Sequence, residues 1–275
     1  MTHKSKAVIF LHMPKTAGTT FYDAIKFQYR KREIFTCSGI IENSVEMFNQ
    51  LPDVKKQQIK FFKGHMTFGL HQFLTQPSTY ISILRHPTKR FISLYYYLQQ
   101  STTHAQHHHV VGKSLHDFAQ NQVIHHNFQT RFIAGRSAFD SACSDEEKLA
   151  IAKANIDTHF AAIGIQERFD ESLILFKHVL GWKNLPLYVR QNKSKKPDHL
   201  DIEQSTIDLI EEKNSLDMQL YDYANQKLDQ EIAKLDTEFV RSLDNFKKAN
   251  RLYAPIGKFY SHSRSLTLNF LKSVR

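Results

Sequence analysis

Two cysteines, Cys37 and Cys143, in 275 residues exclude a disulfide framework, and neither belongs to a CxxC pair. They read as buried free thiols in a reducing compartment. No apolar run approaches the roughly 18 residues that a membrane span needs. The opening "MTHKSKAVIFLHMPK" has too short an apolar part for a secretory signal and runs into Pro14 and Lys15. The expectation is a cytoplasmic protein with no transmembrane segment. The GxxxxGK[ST] spacing of nucleoside triphosphatases is also missing, and no strand-terminal Asp offers itself as a metal holder. Nothing in these residues calls for Mg²⁺.

What is present is apolar residue and positive charge. The chain is 41% hydrophobic and 12% aromatic, enough for one sizeable folded domain. Thirty-seven Lys and Arg against 27 Asp and Glu leave a formal charge of +10. That balance favours an anionic partner without choosing among nucleic acid, lipid, acidic glycan and phosphorylated cofactor.

Short apolar runs alternate with helical patterns. Strands are expected at Ala7–His12, Glu33–Cys37, Ile59–Lys63, Tyr80–Leu84, 159–165 ("HFAAIGI") and 185–190 ("LPLYVR"). Helices are expected after residue 20, from Pro52, over Phe91–Gln99, within Ser114–Ala134, from a cap at Asp145 through Ile156, over Phe169–Leu180 and from Ser205 to about Phe246. The alternation predicts an α/β fold: a P-loop-like parallel sheet flanked by helices, with a helical C-terminal region. The whole chain, 1–275, reads as a single domain, its α/β core over about 7–200 and its helical part over about 201–275.

"HMPKTAGTTF" joins the first strand to the first helix. A turn of this kind aims several backbone N–H groups at one place, and the helix dipole adds positive potential there. Lys15 can add a full charge, Gly18 permits close approach of backbone, and Thr16, Thr19 and Thr20 carry hydroxyls. An ordinary helix cap beside a chance lysine is the plain alternative. With that description in hand, the segment resembles the 5′-phosphosulfate loop of sulfotransferases that use PAPS (3′-phosphoadenosine 5′-phosphosulfate). Within them it is most similar to the carbohydrate branch of heparan/uronyl 2-O type (sulfotransferase family 2). The resemblance implies that Pro14, Lys15, Thr16, Ala17, Gly18, Thr19 and Thr20 bind the cofactor and that no metal is required.

A second segment, "RHPTKRFISLYYYL", follows the Tyr80–Leu84 strand. Its arginine leaves a strand end, where doubly wound sheets place ligands, and its planar fork suits phosphate. The resemblance makes Arg85 and Ser93 ligands of the 3′-phosphate. His86 departs from the family, which has Asp at that step. Arg90 reads as support for the loop.

Between the two lies "FFKGHMTF". In the glycan sulfotransferases that it resembles, the histidine of the GH step takes the acceptor's proton, which implies that His65 and Lys15 are the catalytic pair. Imidazole titrates near working pH, so it suits that task. A structural histidine is the plain alternative. Lys63 stands where the branch often has another histidine.

Weaker signals remain. Asn192, Lys193 and Ser194 fall in a late basic loop that in related enzymes closes over the cofactor; a solvated charge run reads equally well. "HHNFQTRFIAG" reads as core helix, with Arg131 aimed at the acceptor. Glu167 and Arg168 are either site residues or a structural ion pair. His104, His107, His108 and His109 match no metal-site spacing, and border an acidic acceptor more naturally than they hold an ion. The basic tail from Arg251 either packs on the domain, the preferred reading, or lies on a membrane surface. The expectation is a PAPS-dependent O-sulfotransferase acting on a hydroxyl of a carbohydrate acceptor, without nucleic acid as partner. A P-loop nucleotide kinase or NTPase, or a non-catalytic basic protein binding anions or nucleic acid, are the competing classes.

Overall fold

The computed structural model describes residues 6–121, 124, 126–136, 143–190 and 202–273, with side chains through 259. "AVIFL" forms β1, Ala7–Leu11, and all five of its residues are buried. An unbroken apolar run suits only a strand covered on both faces, and β1 lies at the centre of the sheet. The other strands are β2 (Ile34–Thr36), β3 (Phe61–Gly64), β4 (Ser78–Leu84) and β5 (Phe160–Ile165). Every pairing is parallel, and the order is β2-β3-β1-β4-β5.

The chain leaves β1 toward β2 and β3, then crosses to β4 and β5 on the other side. The connections after β1 and β4 therefore run in opposite directions from neighbouring strands. A crevice opens between them at the carboxyl ends, the place where open α/β sheets bind ligands.

Helices cover both faces: α1 (Gly18–Ile25), α2 (Ile41–Asn49), α3 (Asp53–Lys56), α4 (Pro87–Gln100), α5 (Leu115–Gln120), α6 (Phe128–Ala134), α7 (Asp145–His159) and α8 (Phe169–Val179). The chain then turns helical, with α9 (Gln204–Lys213), α10 (Ser215–Ala233) and α11 (Asp236–Ser273). α10 packs on β5, α6 and α7, while α11 packs on α8. The core surrounds the sheet; a smaller cluster joins Phe91, Tyr95 and Leu98 of α4 to Phe118 and Ile210. Among the described residues, no helix is long and apolar enough to cross a membrane.

Several expectations shift. α4 begins at Pro87, whose missing N–H costs nothing at a first helical position. α7 is capped by Ser144 rather than Asp145, because Ser144 has Glu147 three residues on and the two exchange hydrogen bonds. Residues 185–190 form no strand. Pro186 has no N–H, Leu187 bonds back to Leu185, and the Tyr188 N–H donates to the Asn250 side chain, so these groups are engaged away from the sheet. α2 has no counterpart in the sequence-predicted elements.

Candidate functional site

The turn after β1 winds with alternating hand. Lys15 has φ 72 and Ala17 has φ 67, with Thr16 between them. Left-handed backbone costs a non-glycine residue about 1–2 kcal/mol. The conformation turns successive N–H groups inward, the geometry of an anion-binding nest. The Thr16 hydroxyl donates to the Met13 carbonyl across 2.9 Å, so this buried side chain braces the turn. α1 follows at once. Its N-cap, Ala17, offers no side-chain cap, and its first turn has no acidic residue, an arrangement whose positive end favours an anion. Gly18 is required by packing. A Cβ there would lie 1.9 Å from Nε2 of His12.

Arg85 stands between the last residue of β4 and the N-cap of α4, His86. Its Nη1 donates to the Lys15 carbonyl at 3.0 Å, tying the two turns together. Its Nε is buried without a hydrogen-bond partner. Burial lowers its pKa and Glu167 opposes that shift; an arginine nevertheless keeps its charge. Ser93, two turns into α4, is 3% exposed and faces the same crevice. The Glu167 carboxylate accepts from the His86 N–H at 3.3 Å and from the Tyr221 hydroxyl at 3.2 Å. An acid thus orders this turn after all, from the end of β5 rather than from position 86. Arg168 pairs with Glu171 and Asp229, a structural arrangement. Arg90 is fully buried, its guanidinium 5.0 Å from the Phe128 ring centre.

His65 follows β3. Its Nδ1 lies 3.0 Å from the His12 carbonyl. A carbonyl can only accept, so Nδ1 carries the proton and Nε2 keeps its lone pair. The His12 ring packs 4.1 Å from the His65 ring, and its own Nδ1 meets the Tyr22 hydroxyl at 2.8 Å. Burial, with His65 and Lys63 adding to it, pushes His12 down to about 3. His12 is therefore neutral at physiological pH. Burial also lowers His65, against the hydrogen bond to His12. Lys63 sits 3.9 Å over the Tyr22 ring and is lowered by burial and by Lys26.

These groups line one cleft of about 870 Å³. It brings together Pro14, Lys15, Ala17, Gly18, Thr19, Thr20, His65, Arg85 and Ser93, whereas Thr16 lies beneath it. Asn192, Lys193 and Ser194 lie outside the described residues. The cleft adds Tyr97, His104, Gln166, Phe169, Tyr188 and Arg190. Tyr97, one turn after Ser93, lies under the Lys15 ammonium at 4.1 Å. Of the histidine-rich loop only His104 reaches the cleft; His107 donates to the Leu98 carbonyl at 2.7 Å and closes the end of α4. Among the described residues no group of His, Cys, Asp and Glu could hold a metal ion. A second cavity, about 710 Å³, lies at the amino ends of the strands beside Lys6, Ser78 and Phe160, and contains none of the predicted residues.

Known proteins share this chain's sequence pattern. A family model described as galactose-3-O-sulfotransferase matches residues 2–256. Heparan sulfate 2-O-sulfotransferase hst-2 of Caenorhabditis elegans is 23% identical, over 89% of this chain and 84% of its own length. Galactose-3-O-sulfotransferase 3 of Bos taurus is 27% identical over 81% of this chain, which spans 56% of that protein. Among solved structures, mouse sulfotransferase SULT7A1 complexed with PAP aligns at 12% identity and a TM-score of 0.32, covering 78% of this chain and 66% of that one.

Proposed function

Because the chain belongs to the galactose-3-O-sulfotransferase family, we propose that it is an O-sulfotransferase that moves a sulfuryl group from PAPS to a hydroxyl of a carbohydrate. One observation carries the reading: the nest after β1, the arginine after β4 and the unprotonated Nε2 of His65 share a single cleft. The competing classes each need only part of that set.

The donor set fits PAPS. It is an anion with phosphate groups at the 5′ and 3′ positions of one nucleoside. The turn at 14–20 offers backbone N–H groups, the uncapped end of α1 and the Lys15 ammonium. Arg85, with its unpartnered Nε, and Ser93 offer a second set beside it. Following the sequence pattern, the first set holds the 5′-phosphosulfate and the second the 3′-phosphate. PAPS supplies the activated sulfuryl group.

The chain's own residues then have defined tasks. Lys15 and the nest neutralise charge where the 5′-phosphate leaves. Nε2 of His65 accepts the proton of the acceptor hydroxyl, while the His12 carbonyl holds Nδ1–H and so fixes the tautomer. Positioned proton transfer of this kind contributes about 10²–10⁴-fold to a rate. Lys15 and the nest provide, at the leaving 5′-phosphate, the kind of positive potential for which phosphoryl-transfer enzymes use Mg²⁺. Sulfuryl transfer needs in-line placement and charge neutralisation, and no sulfated enzyme intermediate.

Isothermal calorimetry with 3′-phosphoadenosine 5′-phosphate (PAP), coupled to transfer of radiolabelled sulfate from PAPS to galactose- and uronate-containing acceptors, tests this. Binding and transfer are expected in the wild type. His65→Ala should bind PAP within about twofold and lose about 10²–10⁴-fold in transfer. Full transfer by His65→Ala removes the base. Magnesium-dependent ATP turnover without PAP binding returns the chain to the nucleotide-hydrolysing class.

A further inference from the structure

Arg85 occupies the short link between a strand and a helix, so neither element pairs its backbone. Both of its backbone groups are satisfied by one side chain. The Gln129 Oε1 accepts from the Arg85 N–H at 3.0 Å, and the Gln129 Nε2 donates to the Arg85 carbonyl at 2.8 Å. A primary amide matches a peptide group in this way and fixes the orientation of both. Gln129 is fully buried.

Gln129 is itself held from elsewhere. It lies in the first turn of α6, whose N-cap, Asn127, makes no side-chain cap of its own. The buried Asp217 of α10 does that work: its carboxylate accepts from the N–H of Gln129 at 3.0 Å and from the N–H and hydroxyl of Thr130 at 2.7 and 2.8 Å. The Asn127 side chain returns the favour to α10, accepting from Leu216 and Asp217 N–H at 3.0 and 3.2 Å. Asn214 closes the exchange by accepting from the Asn127 N–H at 3.1 Å. Two helix starts thus cap each other.

From this geometry we infer that Gln129 is a positioning residue for recognition of the cofactor's 3′-phosphate, anchored by helix α10 through Asp217. It does not touch the ligand. It sets the backbone from which the Arg85 guanidinium projects, so its loss tilts that group away from the phosphate it holds. The inference rests on the assignment of Arg85 to the 3′-phosphate.

The test compares PAP with adenosine 5′-monophosphate, which lacks only the 3′-phosphate, by calorimetry on the full chain. Arg85→Ala, Gln129→Leu and Gln129→Glu are measured beside the wild type, with far-UV circular dichroism as the check on folding. Gln129→Glu keeps an acceptor for the Arg85 N–H but turns a carboxylate oxygen toward the Arg85 carbonyl, so it disturbs the pairing by repulsion where Leu removes it. Arg85→Ala should erase the wild-type preference for PAP. Gln129→Leu should weaken PAP by about 10-fold or more and leave adenosine 5′-monophosphate within about twofold; Gln129→Glu should shift the same ratio in the same direction. If Gln129→Leu does not fold, the ratio in Gln129→Glu decides. Equal loss of both nucleotides makes Gln129 merely structural and overturns the inference, as does an unchanged ratio in a folded Gln129 variant. If Arg85→Ala keeps the preference, the 3′-phosphate assignment itself has failed, a result the Gln129 variants cannot mimic.

Discussion

The Nη1 of Arg85 donates to the backbone carbonyl of Lys15 across 3.0 Å, joining residues 70 apart in sequence. The turn after β1 and the turn after β4 are therefore joined into one surface. Whatever anion the first turn holds lies within reach of the second.

This contact makes Arg85 sensitive to shape as well as charge. Lysine is a point charge without the planar fork, so it gives up the fixed geometry with which one guanidinium can meet the Lys15 carbonyl and a phosphate together. Arg85→Lys is expected to lose about 1.5–3 kcal/mol of PAP binding, the range for hydrogen bonds to charged groups, as are Arg85→Ala and Lys15→Ala. Calorimetry measures it. Wild-type affinity in Arg85→Lys would show that only charge matters there.

Transfer should resist mild acid. Burial lowers the pKa of His65, and the base proposed for it acts as the neutral ring. The acid limb of kcat/KM, which reports the unliganded enzyme, should therefore fall below the ordinary histidine value of about 6.5. A midpoint above that value contradicts the environment described for His65.

His12 should make the fold itself acid-sensitive. Its folded pKa of about 3 lies below its ordinary value of 6.5. Between those values the unfolded chain binds the proton and the folded chain does not. Stability is thus intact above 6.5 and falls as pH drops through the window to about 3, at a slope approaching about 1.4 kcal/mol per pH unit. In His12→Phe this loss should flatten, so urea denaturation at about pH 7 and about pH 4.5 should show the wild-type advantage shrinking in acid. A constant difference between the two proteins would assign the acid sensitivity elsewhere.

Gly18→Ala tests how closely the nest approaches the histidine pair. The new methyl would stand 1.9 Å from Nε2 of His12, whose ring is confined by Tyr22 and His65. We expect about 1–3 kcal/mol of destabilisation from overpacking, with weaker PAP binding. Thermal denaturation and calorimetry report the two effects. An unchanged melting temperature would mean that His12 has room to move.

The parts of the site legible in the sequence are those built locally. "AVIFL" followed by "PKTAGTT" is a strand, a turn and a helix start within a few residues, and each determines the next. Arg85 could be found because it follows "YISIL" directly. Tyr97 could not: it shares α4 with Phe91, Tyr95 and Leu98, all buried, and only the tertiary fold leaves it 39% exposed at the cleft. Phe169 and Tyr188 likewise have packing spacings in the sequence and line the cleft in the fold. The pairing of Gln129 with Arg85 spans 44 residues, beyond any local pattern. The expected strand at 185–190 failed for a related reason. Its apolar run is real, and buries Tyr188 and Val189, but the Leu187 and Tyr188 N–H groups go to Leu185 and Asn250.

The two margins of the sheet are unequal. β2 is three residues long and partly exposed, a poor template for another chain. β5 is six residues long, mostly buried, and lies beneath α10. Strands left bare at a margin invite pairing between molecules. A version of the chain shortened before Ser215 would lose that shield together with the Asp217 anchor, and its first symptom should be self-association into aggregates rather than a soluble, inactive monomer.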